Sequence, residues 1–107
     1  MKVFISQPMR DKTDEQIRAE REEAIKKIKA LYKNCDVKIE ILDTIFDDFH
    51  DTKLESQTSR SIYCLGKLIQ YMRYADLVYF MKHWKEYRGC RIEHYVAEQY
   101  GLKMMEE

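Results

Sequence analysis

A chain of 107 residues with 45% apolar side chains is long enough for one modest core and too apolar to stay disordered. Its 19 Lys and Arg are balanced by 19 Asp and Glu, so no global field favours a nucleic-acid polymer or an anionic membrane. Three cysteines without metal-type spacing argue against a disulfide framework or a zinc site, and no apolar run approaches the roughly 20 residues of a membrane span. The expectation is one soluble cytoplasmic domain over residues 1–107, with Cys35, Cys64 and Cys90 as reduced, half-buried thiols and no signature of a metal or cofactor.

Val3, Phe4 and Ile5 form a short apolar run, the pattern of a strand buried on both faces. The run stops at Ser6-Gln-Pro-Met-Arg10, which holds the only proline. Thr13 to Gln16 reads as a capping box, and Ile17, Ala24, Ile28 and Leu31 then recur at helical spacing. Val37 to Leu42 alternates apolar and polar, as a one-sided edge strand does. Asp43 to Arg60 is polar, acidic and aperiodic, the composition of a long functional loop. Within it, His50 with Asp47, Asp48 and Asp51 lacks the second histidine or the glycine that a metal loop would carry.

Ile62, Leu65, Leu68, Ile69 and Met72 mark a second helix, and Leu77 to Met81 a further buried strand. Arg88 to Tyr100 reads as a third helix stopped by Gly101, with Ile92, Val96 and Tyr100 as its core stripe. Leu102 to Met105 supplies a last short strand. Right-handed crossovers turn this order into an α/β fold, a parallel sheet of about four strands in order 2-1-3-4 with helices on both faces. Ligands in such Rossmann-like, flavodoxin-like sheets bind beyond the carboxyl ends of the strands, near the switch point between the first and third. The Ser6–Arg10 loop and the Lys82–Arg88 turn converge there.

The residue that stands out at this edge is Glu93. Gly89, Glu93 and Ala97 are four apart on one helix stripe, so small residues flank the carboxylate and leave room for an approaching group. A place near the helix start is expected to keep it ionised through the dipole, as a nucleophile at a sugar carbon requires. His94, about 100° round the helix, is expected on the surface. Trp84 suits either a nucleobase platform or a packing lid. Arg88 and Arg91 flank the helix start, where an anion is favoured. Asp76 opens its strand at the end away from the site, in a turn or cap role.

Three phrases carry a family resemblance: Val3-Phe-Ile-Ser-Gln-Pro-Met-Arg10, Ala75-Asp-Leu-Val-Tyr-Phe80, and Trp84 through Arg88-Gly-Cys-Arg-Ile-Glu-His94 with Ala97 and Tyr100-Gly101. Together they resemble the nucleoside 2-deoxyribosyltransferase-like superfamily, closest to a small branch known as a domain of unknown function. The resemblance implies that Glu93 attacks the anomeric carbon of a nucleoside or nucleotide, making the chain an N-glycosidic hydrolase or deoxyribosyltransferase. It also implies ligand-facing roles for Ser6, Gln7 and Arg10, and a homodimer or higher assembly, with the second and third helices as candidate contacts. Trp84, Tyr87, Arg88 and Gly89, in the turn and helix start that converge on this edge, are expected to line the substrate as well.

The chain departs from that pattern in three places. Leu68, beside Lys67, stands where those enzymes carry an Asp that assists the leaving base. Tyr87 stands where they carry Asp or Ser, and Val3 and Phe4 occupy the region of an aromatic hydroxyl. The proton donor then falls to Glu86, Tyr87, His83 or a residue of the 43–60 loop. The alternative reading keeps the scaffold and drops the reaction, leaving a nucleotide or nucleotide-sugar binding module with a sensing or regulatory role.

Overall fold

The structure is a computed structural model, and it describes residues 1–45 and 56–107. The acidic grouping of His50 with Asp47, Asp48 and Asp51 lies outside the described residues. The elements are β1 (Lys2–Ser6), α1 (Asp14–Leu31), β2 (Glu40–Ile41), α2 (Gln57–Met72), β3 (Leu77–Phe80), a 3-10 turn (Trp84–Glu86), α3 (Arg88–Gln99) and β4 (Met104–Glu106). The four strands are all parallel in the order β2-β1-β3-β4, as the sequence pattern predicts.

β1 lies inside the sheet, paired with β3 from Val3–Leu77 to Ser6–Phe80 and with β2 at Lys2–Glu40 and Val3–Ile41. Its side chains alternate between two cores. Val3 and Ile5 join Leu77 and Tyr79 beneath Ala24 and Ile28 of α1. Phe4 joins Val78 and Phe80 beneath Met72 of α2 and Ala97 of α3. One helix therefore covers one face and two cover the other, as right-handed crossovers require for this order.

The ends of the elements follow from local chemistry. Thr13 caps α1 with a full capping box, its hydroxyl accepting from the Gln16 amide while the Gln16 side chain accepts from the Thr13 amide. Ser56 caps α2 by accepting from Ser59 N–H. Gly101 follows α3 at φ 68°, the left-handed conformation that favours glycine at a helix end. Asp76 clips the amino end of the sheet, accepting from Lys2 N–H at 2.8 Å, which accords with its expected turn role.

Three expectations need correction. β2 is two residues long rather than spanning Val37 to Leu42, and Val37 is exposed. β4 begins at Met104 rather than Leu102. The core stripe of α3 is Cys90, Glu93 and Ala97, whereas Ile92 and Val96 are half-buried and Tyr100 is 80% exposed. The helix is turned so that the Glu93 carboxyl faces the end of β1, where it has a partner.

Candidate active site

The partner is Ser6, the last residue of β1. Its hydroxyl donates to Glu93 Oε1 at 2.7 Å, across 87 residues of sequence. Ser6 is fully buried and Glu93 is 3% exposed. The pair sits at the carboxyl end of β1, beside its neighbour β3, which is the switch point of the sheet.

This burial overturns the expected state of Glu93. α3 starts at Arg88, so Glu93 lies in the second turn, where the dipole has faded. Loss of water around the carboxyl, only partly offset by the Ser6 hydroxyl, raises its pKa from the ordinary 4.5 to about 7. Cys90, one turn earlier, shares the environment. Burial pushes its thiol up to about 11, so it is a neutral group beside Ser6 and not a reactive thiolate. Cys35 is exposed and Cys90 buried, rather than all three thiols being half-buried.

The expected access route has one open member. A Cβ added at Gly89 would meet no atom within 4 Å, so the position one turn before Glu93 on that stripe is open. Ala97, on the other side, is buried in the core beneath α3.

The remaining residues divide into those at the rim and those drawn into the scaffold. Tyr87 precedes α3 as its N-cap and is half-buried. The Arg10 guanidinium lies 5.4 Å and the Lys12 ammonium 5.8 Å from the centre of its ring. Arg10 is also 3.9 Å from Asp11, which takes a left-handed backbone at φ 64°. Arg88 is exposed beside this rim. His83, left-handed at φ 69°, places Nδ1 3.4 Å from Glu86 Oε2 in the turn after β3. These loops present cations and an aromatic hydroxyl at the edge that the sequence indicates.

Trp84 belongs to the scaffold on one side. Its ring stacks on His94 at 4.2 Å and 9°, and both pack against Phe80. That contact favours the packing lid of the two roles left open by the sequence. It also draws His94 off the surface, where it is half-buried with Nε2 3.8 Å from Glu106. Arg91 is committed to the turn, donating to the Lys85 carbonyl at 2.9 Å. Leu68 lies in the apolar cluster beneath α2 and α3, so no acid reaches the site from that position.

Gln7 is the clearest departure among the expected ligand contacts. Its side chain turns to the α1 face, where Nε2 donates to the Ile17 carbonyl at 2.6 Å and Oε1 accepts from Arg21 Nη1 at 3.3 Å. Arg21 also donates through Nη2 to the Leu42 carbonyl at 2.8 Å, and burial lowers its pKa below the ordinary arginine value. The Gln7 amide is occupied in fastening β1 to α1. Arg21 was not among the expected site residues. Its signal was its place at the same spacing as Ala24 and Ile28, a charge on an apolar stripe. It lines a cleft of about 330 Å³ with Arg18, Glu22, Ile25, Asp43 and Ile45.

Among the described residues no group of three or more His, Cys, Asp or Glu is arranged to hold a metal ion, and no helix is long and apolar enough to cross a membrane. Comparison with family models, curated proteins and solved structures finds no match to this chain.

Proposed function

We propose that the chain binds a nucleoside or nucleotide at the carboxyl edge of its sheet and cleaves or transfers the N-glycosidic bond, with Glu93 as nucleophile. The observation that carries this reading is a carboxyl buried to 3% exposure at the switch point, hydrogen-bonded at one oxygen by Ser6. Burying a carboxyl in the second turn of a helix opposes stability, and strongly shifted acids of this kind concentrate at working sites. The superfamily resemblance of residues 84–97 points to the same residue.

In the first step a Glu93 oxygen forms a bond to the anomeric carbon as the carbon–nitrogen bond breaks. The bonding pair leaves with the base, which takes up a proton from Glu86, Tyr87 or His83 in the adjoining turn. Water, or a second base, then attacks the same carbon and frees the carboxylate, which gives retention of configuration. Arg10 and Arg88 at the rim favour a substrate bearing a phosphate, whereas the Lys12 ammonium is paired with Glu20 at 2.7 Å. The reaction needs Glu93 ionised, so the rate should rise with pH through about 7.

A homodimer fits the same reading. Ile62 of α2 is 66% exposed, and Tyr95 of α3 is also exposed, which leaves apolar surface on the two helices expected to meet a second copy. The binding-module alternative has its own support, because Leu68 and Tyr87 leave the leaving base without the acids that the superfamily uses.

The two readings separate when the protein is incubated with deoxynucleosides and their monophosphates and free base is followed by chromatography. Base release reduced about a thousandfold in Glu93→Gln is the expected outcome. Binding by calorimetry with no base release would leave the sensing module, and release unchanged in Glu93→Gln would remove the nucleophile.

A further inference from the structure

At the end of β1, two consecutive residues send their side chains to opposite faces, Gln7 toward Arg21 and Ser6 toward Glu93. Ser6 is poorly suited to touching a ligand. It has no exposed surface, and its single hydroxyl proton is given to Glu93 Oε1. It is well suited to holding something still. Ser6 pairs with Phe80 of β3, and its carbonyl accepts from Met81 N–H at 3.1 Å, so its backbone is held along the β3 side. A serine side chain has a single heavy-atom torsion, so the oxygen position follows from the backbone with little freedom.

The other groups around Glu93 cannot do this. On α3 itself the neighbour is the neutral Cys90 thiol. The cluster that Ala97 joins one turn further along α3 is apolar, with Phe80 from β3 and Met72 and Leu68 from α2. The turn before α3 contributes Trp84, whose ring is stacked on His94. Among the described residues burial and the Ser6 hydroxyl are the influences on Glu93 titration, with no Arg, Lys or His among them.

We propose that Ser6 is the positioning residue of Glu93: its hydroxyl fixes Oε1 and leaves Oε2 as the oxygen presented to the ligand, without touching substrate. The assignment rests on Glu93 being the working acid, and it replaces the ligand contact that the family resemblance implies for Ser6. A serine that merely fills space would leave the ionisation of Glu93 alone. A hydrogen bond to the charged form lowers a carboxyl pKa, so removing it must raise the midpoint.

The test is a carboxyl carbon NMR titration of the full chain with labelled glutamate, the Glu93 signal being identified by its loss in Glu93→Gln. The wild-type midpoint is expected near 7. Ser6→Ala should raise it by about one unit, Ser6→Cys by a smaller amount because a thiol is a weaker donor, and Ser6→Thr should restore it. Cys90→Ala should leave it in place. Where base release is measurable, its pH midpoint should move with the NMR midpoint.

A Ser6→Ala or Ser6→Cys midpoint equal to wild type would overturn the proposal, as would Ser6→Thr shifting as far as Ser6→Ala. The titration needs no turnover. Absence of base release counts against the glycosidase reading alone, and an unshifted titration counts against Ser6 alone.

Discussion

Two buried charges flank the end of β1, one on each face of the sheet, and they are held in different ways. On the α1 side Arg21 spends its guanidinium on the Gln7 amide and the Leu42 carbonyl, with the Asp43 charge nearby. That arrangement ties β1, α1 and the end of β2 together. On the α3 side Glu93 receives a single hydroxyl bond and no cation among the described residues. The first charge is anchored and serves the frame. The second is held at one oxygen and left with a pKa of about 7, a condition that suits chemistry better than architecture.

The contrast breaks first at Arg21. Replacing it with Ala leaves the Gln7 amide oxygen and the Leu42 carbonyl without their donor inside the protein, a loss of about 3 kcal/mol in denaturant unfolding. A loss below about 1 kcal/mol would show that the α1 side is no anchor.

Glu93 should behave in the opposite sense. Its folded pKa lies above its unfolded value, so the proton is held more tightly in the folded state. The resulting stabilisation is full below about pH 4.5 and is lost as pH rises through about 7. Glu93→Gln is neutral at every pH. Relative to that variant, wild type should lose stability between pH 5 and 8, by at most about 3 kcal/mol. Parallel stability curves for the two proteins would contradict the burial argument.

A smaller effect sharpens the contrast at Gly89. Open space above this residue means that Gly89→Leu should fold with unchanged or slightly raised stability, since glycine is a poor helix former. The same change should weaken base release or ligand binding by about tenfold, because the new side chain enters the approach to Glu93. A variant that binds and reacts as wild type would move the approach elsewhere.

The two inner strands were legible because they rest on local apolar runs, and with them the order of the sheet, whereas the extents of β2 and β4 were not. Val3–Ile5 and Leu77–Phe80 are continuous, and a buried parallel strand leaves that mark. The capping box at Thr13 was legible for the same local reason. The orientation of α3 was not. Its apolar residues Ile92, Val96 and Tyr100 suggest one stripe, but the face that enters the protein carries Cys90 and Glu93. Hydropathy cannot register a buried carboxyl whose partner lies 87 residues away. Arg21 escaped notice for the same reason, because its acceptors belong to the loop after β1 and the end of β2. Glu93 itself was marked by its flanking glycine and alanine and by resemblance, while its protonation emerges only with tertiary burial.

The central claim is that Glu93 takes a sugar onto its side chain. The direct measurement is peptide mass spectrometry after the protein is incubated with the nucleoside and monophosphate panel and quenched in acid. The expected result is a mass increase corresponding to the sugar or sugar phosphate on the peptide containing Glu93, absent from Glu93→Gln. Base release at full rate from Glu93→Gln, or the adduct on any other peptide, would contradict it.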